Sequence, residues 1–154
     1  MSTCHVLSLD IDFFVEPTAT DIEEASERLP ADEYAVESES AVDEFLELRC
    51  QMGRNTNHRG IHVRDHDSAY HVIEYLVHNE AASVVLHHID AHADLGMGDA
   101  GWSYLLNEWL WLTTPRSVPQ EPTLGNWLAF VAANQWLEEV EFVPKELTIL
   151  ETVS

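Results

Sequence analysis

The sequence predicts an α/β layer fold around a mostly parallel sheet, and three observations carry that reading. A short apolar run opens the chain, a second one stands near its middle, and a segment with clear helical periodicity lies directly before the second. Residues 5–14, His-Val-Leu-Ser-Leu-Asp-Ile-Asp-Phe-Phe, pass from an apolar run into alternation with acids, as a buried strand does when it emerges at a sheet edge. In this reading Ile11 points into the core. Residues 18–39 are acidic and broken by Pro30, which predicts a surface excursion with one short helix over Asp21 to Arg28. Ser40 with Asp43 reads as a capping pair before Val42, Phe45, Leu46 and Arg49, a helix that closes at Gly53 and leads into a polar loop through Gly60.

Ala69, Val72, Ile73, Leu76 and Val77 fall at the offsets of one helical face, so residues 68–80 are expected to form a helix with Ser68 at its start. His71 and His78 lie off that stripe and should be exposed. Ala82 to Ile89, with Val84-Val85-Leu86 at its centre, reads as a buried strand. Trp102 to Leu112 predicts another helix, and Pro115, Pro119 and Pro122 mark a loop after it. Trp127 to Leu137 predicts a further helix, and Val140 to Val143 and Leu147 to Leu150 read as short strands. The whole chain, 1–154, is expected to form a single α/β domain.

Composition narrows the function. The 154 residues include 28 acidic and 7 basic side chains, a formal net charge of -21, while 45% are apolar, enough for an ordinary core. So negative a surface repels phosphate backbones and anionic lipid, so neither nucleic acid nor a membrane is an expected partner. Lys145 is the single lysine and the acids are spread along the chain, a composition that resembles proteins of salt-loving organisms. Cys4 and Cys50 form no disulfide or zinc framework, no apolar stretch reaches membrane-span length, and residues 1–20 carry acids where a signal peptide carries a basic start. These features predict a cytoplasmic protein.

The densest polar cluster is residues 87–94, His-His-Ile-Asp-Ala-His-Ala-Asp, at the end of the second predicted strand. In extended backbone, side chains two apart share one face, so Asp90, His92 and Asp94 are expected to converge. Asp10 and Asp12 repeat the device at the end of the first strand. Four carboxylates in a partly buried pocket need protons or cations, and two divalent ions balance Asp10, Asp12, Asp90 and Asp94 with the histidines neutral. Oxygen-rich ligands with one or two imidazoles suit Mn2+ or a similar divalent ion. His66, between Asp65 and Asp67 at a helix entrance, offers a further imidazole or simply starts the helix. The tryptophans 102, 109, 111, 127 and 136 read as core or interface positions, which leaves room for a homo-oligomer. Gly96, Gly98 and Gly101 let the loop after Asp94 turn back over the metals or form a plain loop, and Gly125-Asn126 reads as a helix start.

The run Asp90-Ala91-His92-Ala93-Asp94 resembles the Asp-x-His-x-Asp signature of arginases and related ureohydrolases, and Ser8-Leu9-Asp10-Ile11-Asp12 resembles their Asp-x-Asp signature. With the Asp-x-Asp segment first, the order is similar to that of the arginase-like family containing the peptide arginases. Arg64-Asp65-His66-Asp67 and Gly125-Asn126-Trp127-Leu128 follow that family's order as well. The resemblance implies a three-layer arginase-like fold, here shortened on its carboxyl-terminal side because the chain stops amid the apolar run Leu147 to Leu150. It implies that His66, Asp90, Asp94 and Asp10 surround one Mn2+, and that Asp90, His92, Asp10 and Asp12 surround a second, Asp90 and Asp10 bridging. It further implies hydrolysis of a guanidino carbon–nitrogen bond, in an arginine-containing peptide or related guanidino compound, to urea and an amine. Asp94 would pass a proton to the leaving nitrogen, with His92 beside it. His58, His62 and His87 are candidates for a further proton-transfer histidine by location.

Overall fold

The computed structural model describes residues 3–18, 30–80, 83–109 and 121–145. They fall into two compact units, one drawn from Met1–Asp10 and Val63–Ser154, the other from Ile11–His62. In the first unit, strands β1 (Thr3–Leu9), β4 (Ser83–Asp90) and β5 (Leu137–Pro144) form a parallel sheet in the order β1-β4-β5. The alternation of strands with helices expected of an α/β fold is therefore present. Parallel neighbours require crossover connections, and here these run through α2 (Ser68–Asn79) and through α3 (Ala100–Tyr104) and α4 (Trp127–Ala133). Among the described residues no helix is long and apolar enough to cross a membrane.

The central strand β4 is buried along most of its length, as its unbroken apolar run requires. On one side of the sheet Val84 and Leu86 pack with Ile73 of α2 and with Trp127, Leu128 and Val131 of α4. Ala69 and Val77 of the predicted α2 stripe join this core, and His71 and His78 are exposed. A second small cluster, Tyr104, Leu105, Ala129 and Phe130, joins α3 to α4.

Several boundaries differ from the expectations. The first strand stops at Leu9, and Ile11–Phe14 form a 3-10 turn in which Ile11 is 66% exposed rather than in the core. The apolar residues that bury themselves there are Phe13 and Phe14, so alternation with acids marked a strand end, not a longer strand. The helix expected over Trp102 to Leu112 is a short α-turn followed by a π-helical segment, Leu105–Trp109, and residues 110–112 lie outside the described residues. α4 ends at Ala133, where Gln135 takes a positive φ of 59°, and Leu137 already belongs to β5. β5 is accordingly longer than the predicted Val140 to Val143, while Leu147 to Leu150 and Asp21 to Arg28 fall outside the described residues.

The second unit, taken by itself, contains that 3-10 turn, a two-stranded antiparallel ribbon of β2 (Val15–Glu16) and β3 (Ala35–Val36), and α1 (Glu39–Leu48). Phe13, Phe14 and Phe45 meet edge-to-face or tilted, at ring-centre distances of 5.2–5.5 Å, to form its apolar centre. The cap of α1 is Ser38, two residues before the predicted Ser40, with the Ala41 N–H donating to Ser38 Oγ at 3.2 Å. Asp43 is not a capping partner; it accepts from Arg54 Nε at 2.9 Å. Ser38→Ala is expected to cost about 1 kcal/mol by loss of the cap, whereas Ser40→Ala should stay within about 0.5 kcal/mol; urea denaturation of both variants checks the assignment.

Candidate metal centre

Strand pairing builds one side of the site. β1 and β4 run in parallel register with Ser8 opposite His88, and the Asp10 N–H extends the pairing by donating to the Ile89 carbonyl at 3.0 Å. Because alternate residues share a side, Ser8, Asp10, His88 and Asp90 gather at the carboxyl ends of the strands, on the side covered by α2 and α4. Open α/β sheets place their ligands at this edge.

His66 enters from the turn that starts α2. Successive bonds from Ser68 N to Asp65 O, Ala69 N to His66 O and Tyr70 N to Asp67 O wind that turn, so the imidazole is aimed by the helix behind it. Its Nε2 lies 3.0 Å from Ser8 Oγ. Its Nδ1 lies 3.1 Å from each of Asp10 Oδ2, Asp90 Oδ2 and Asp94 Oδ2.

Asp94 reaches this point by a bend rather than along an extended strand. β4 ends at Asp90, and Asp94 has a positive φ of 49°, a conformation rare outside glycine, asparagine and aspartate. The start of α4 holds it there. The Leu128 N–H donates to the Asp94 carbonyl at 3.2 Å and the Trp127 indole N–H to Asp94 Oδ2 at 2.5 Å. Asn126 steadies the same turn, accepting from the Thr123 N–H at 2.7 Å and donating to Asp99 Oδ2 at 3.0 Å. A Cβ at Gly96 (φ 55°) would lie 2.4 Å from Asn126 Cβ, and one at Gly101 would lie 2.6 Å from Asn126 Nδ2. The glycines thus admit this clasp.

The structure brings Asp10, His66, Asp90 and Asp94 together. His92 meets the cluster at Asp90: its backbone N–H donates to Asp90 Oδ1 at 2.8 Å, closing a tight turn, and its ring Nδ1 is 3.6 Å from that oxygen. Asp12 belongs to the 3-10 turn of the second unit, where it is half-buried. His87 faces the other side of the sheet and meets Glu141 at 2.8 Å. His58 and His62 are exposed residues of the second unit.

Three contributors escaped the sequence reading. His88, fully buried, has its Nε2 3.6 Å from Asp90 and 3.8 Å from Asp94, with the Trp127 ring edge-on and Phe142 stacked against it. Its position two residues before Asp90 on a strand was the available clue. Trp127 is a core residue, as expected, and a donor to the site as well. Ser8 is the third.

Burial opposes a charge on His66, but bonding to Asp10, Asp90 and Asp94 outweighs it and raises the pKa to about 11. Burial alone would raise the Asp90 carboxyl, yet the bonds from His66 and His92 hold it below the usual carboxylate range. For Asp94 burial wins over the bond from His66, with the neighbouring charge on Asp90 adding to the rise. Burial pushes His88 down to about 4.

These groups fit a cation. A single Nδ1–H points at one oxygen, not three, so the His66 imidazole does not by itself satisfy the three carboxylates that meet it. Among the described residues both ring nitrogens of His88 are buried without a hydrogen-bond partner. An unpartnered buried imidazole beside the acids suits an ion held by Asp90, His66 and His88, each of which offers one ligand atom within 4.8 Å of the others. No family model, curated protein or solved structure matches the chain.

A neutral, buried His88 sets a pH dependence in the metal-free chain. Its folded pKa, about 4, lies below its ordinary 6.5, so its contribution is present above 6.5 and lost as pH falls through 4. Urea denaturation in EDTA should therefore show His88→Gln losing less stability than the parent between those pH values; equal slopes would assign the acid sensitivity elsewhere.

Proposed function

We propose that the chain is a divalent-metal-dependent hydrolase of the arginase-like kind, acting on the guanidino carbon–nitrogen bond of arginine in a peptide or a related compound. The observation that supports it best is the meeting of Asp10, Asp90 and Asp94 on one atom of His66 at the carboxyl ends of parallel strands. Asp10, His66, Asp90 and Asp94, with His88 beside them, would hold an ion, which the carboxylate-rich set suits to Mn2+. When bound, such an ion polarises the substrate and lowers the pKa of water. The second ion implied by the resemblance, with Asp12 and His92 among its ligands, belongs to the same proposal.

The chain's own groups supply the rest of the chemistry. Asp94, whose proton affinity is raised by burial, is suited to accept a proton from the attacking water and deliver it to the departing nitrogen. The Trp127 indole donates to Asp94 Oδ2, the same oxygen that meets His66, and so holds that carboxylate in the cluster. His88 remains uncharged and so adds no repulsion toward a cationic guanidinium, while the carboxylates attract it. The convergence on the single atom His66 Nδ1 favours, as second reading, a one-ion metallohydrolase such as a deacylase.

Metal analysis after purification in high salt, followed by a urea assay on arginine-containing peptides, tests the proposal. Two Mn2+ with urea release is the expected result; one ion and no urea, with deacylation of an acylated substrate, favours the second reading. Asp90→Asn should abolish metal retention, and full occupancy in that variant removes its assigned role. Trp127→Phe, which keeps the ring and loses the donor, should weaken metal affinity about 10–100-fold, as loss of a bond supporting a ligand does.

A further inference from the structure

We propose a second cation site on the opposite side of the sheet, formed by His5 of β1 and His87 of β4, with Glu141 of β5 orienting His87, and suited to Zn2+. Register places His5 beside Val85 and His87 beside Leu7, the alternate positions to Ser8 and His88, so the pair faces away from the Asp90 cluster. The two rings lie nearly parallel, 16° apart with centres 5.8 Å apart, and His5 Nδ1 is 3.5 Å from His87 Nε2.

That separation is long for a hydrogen bond from a ring N–H, which prefers about 2.7–3.2 Å. It is close to the spacing of two nitrogens on one tetrahedral zinc: bond lengths of about 2.0–2.1 Å put them about 3.3–3.4 Å apart. Glu141 Oε2 lies 2.8 Å from His87 Nδ1. A carboxylate there takes the Nδ1 proton as its partner and leaves the Nε2 lone pair directed at His5, the arrangement that supports metal-bound imidazoles. Glu139, which pairs with Val85, shares the row of His5 and adds negative charge on the same side. His5 and Glu141 are exposed and His87 is half-buried, so the ion enters from solvent and completes its shell with water. Imidazole ligands favour zinc over the harder ions that suit carboxylates. Bound there, the ion ties the edge strand β1 to the central strand β4.

Zn2+ titration of the full chain, with bound metal counted after gel filtration, tests the site. His5→Gln and His87→Gln should each bind one Zn2+ fewer than the parent while retaining the same Mn2+ content. Glu141→Gln should keep the parent stoichiometry with affinity weakened 10–100-fold. His71→Gln, which removes an exposed histidine of α2, should match the parent. Parent stoichiometry in both the His5 and His87 variants overturns the proposal, as does an equal loss in the His71 variant. Because Mn2+ retention is read in the same samples, failure here is distinguishable from failure of the Asp90-centred site.

Discussion

Three carboxylates brought to one imidazole nitrogen is the constraint around which the first unit is organised. Acids at strand ends are ordinary when water screens them, but Asp90 and Asp94 are buried. Their charges must be met by groups within reach, and among the described residues His66 stands nearest to both, with the His92 N–H on Asp90 and the Trp127 indole N–H on Asp94 adding to it. A proton on that ring meets part of the demand. The rest of the cluster, with the buried ring of His88 beside it, makes a set of groups that could hold a metal ion.

The surrounding architecture keeps these groups from relaxing apart. β1 and β4 fix Asp10 and Asp90 through main-chain pairing, the turn before α2 aims His66, and the first residues of α4 grip Asp94 by both its carbonyl and its carboxylate. Trp127 links packing to chemistry most directly, since the indole that fills the core also supplies the hydrogen bond to Asp94. Loss of packing at α4 and loss of the site's geometry are therefore coupled.

Much of this was legible in residue order. The apolar run before Asp90 and the periodicity of residues 68–79 specify the strand and the helix that carry the cluster, because burial on both sides of a central strand and on one face of a helix leaves unmistakable patterns. Asp10, His66, Asp90 and Asp94 stood out because ligand-type side chains followed or preceded those elements. What the spacing misjudged was the backbone after Asp90. Period-two reasoning holds only while the strand continues, and the positive φ at Asp94 and the turn at His92 end it. The same assumption placed Ile11 inside when the 3-10 turn exposes it. His88 and Trp127 were hidden for a different reason: each has an ordinary structural role, and only three-dimensional packing shows that their polar atoms meet the acids.

Asp10 and His66 also bracket the whole second unit in the chain, since Ile11–His62 lies between them. Their meeting closes a long loop, and the entropy of closure grows only logarithmically with the number of residues enclosed, by about 0.6 kcal/mol for each doubling. A cation gripping both ends would act on the unfolded polymer much as a removable cross-link does, restricting the ensemble that competes with the native state. The stretch in between is consequently free to lengthen or shorten with little thermodynamic penalty, provided its two ends still return to the same pair of side chains.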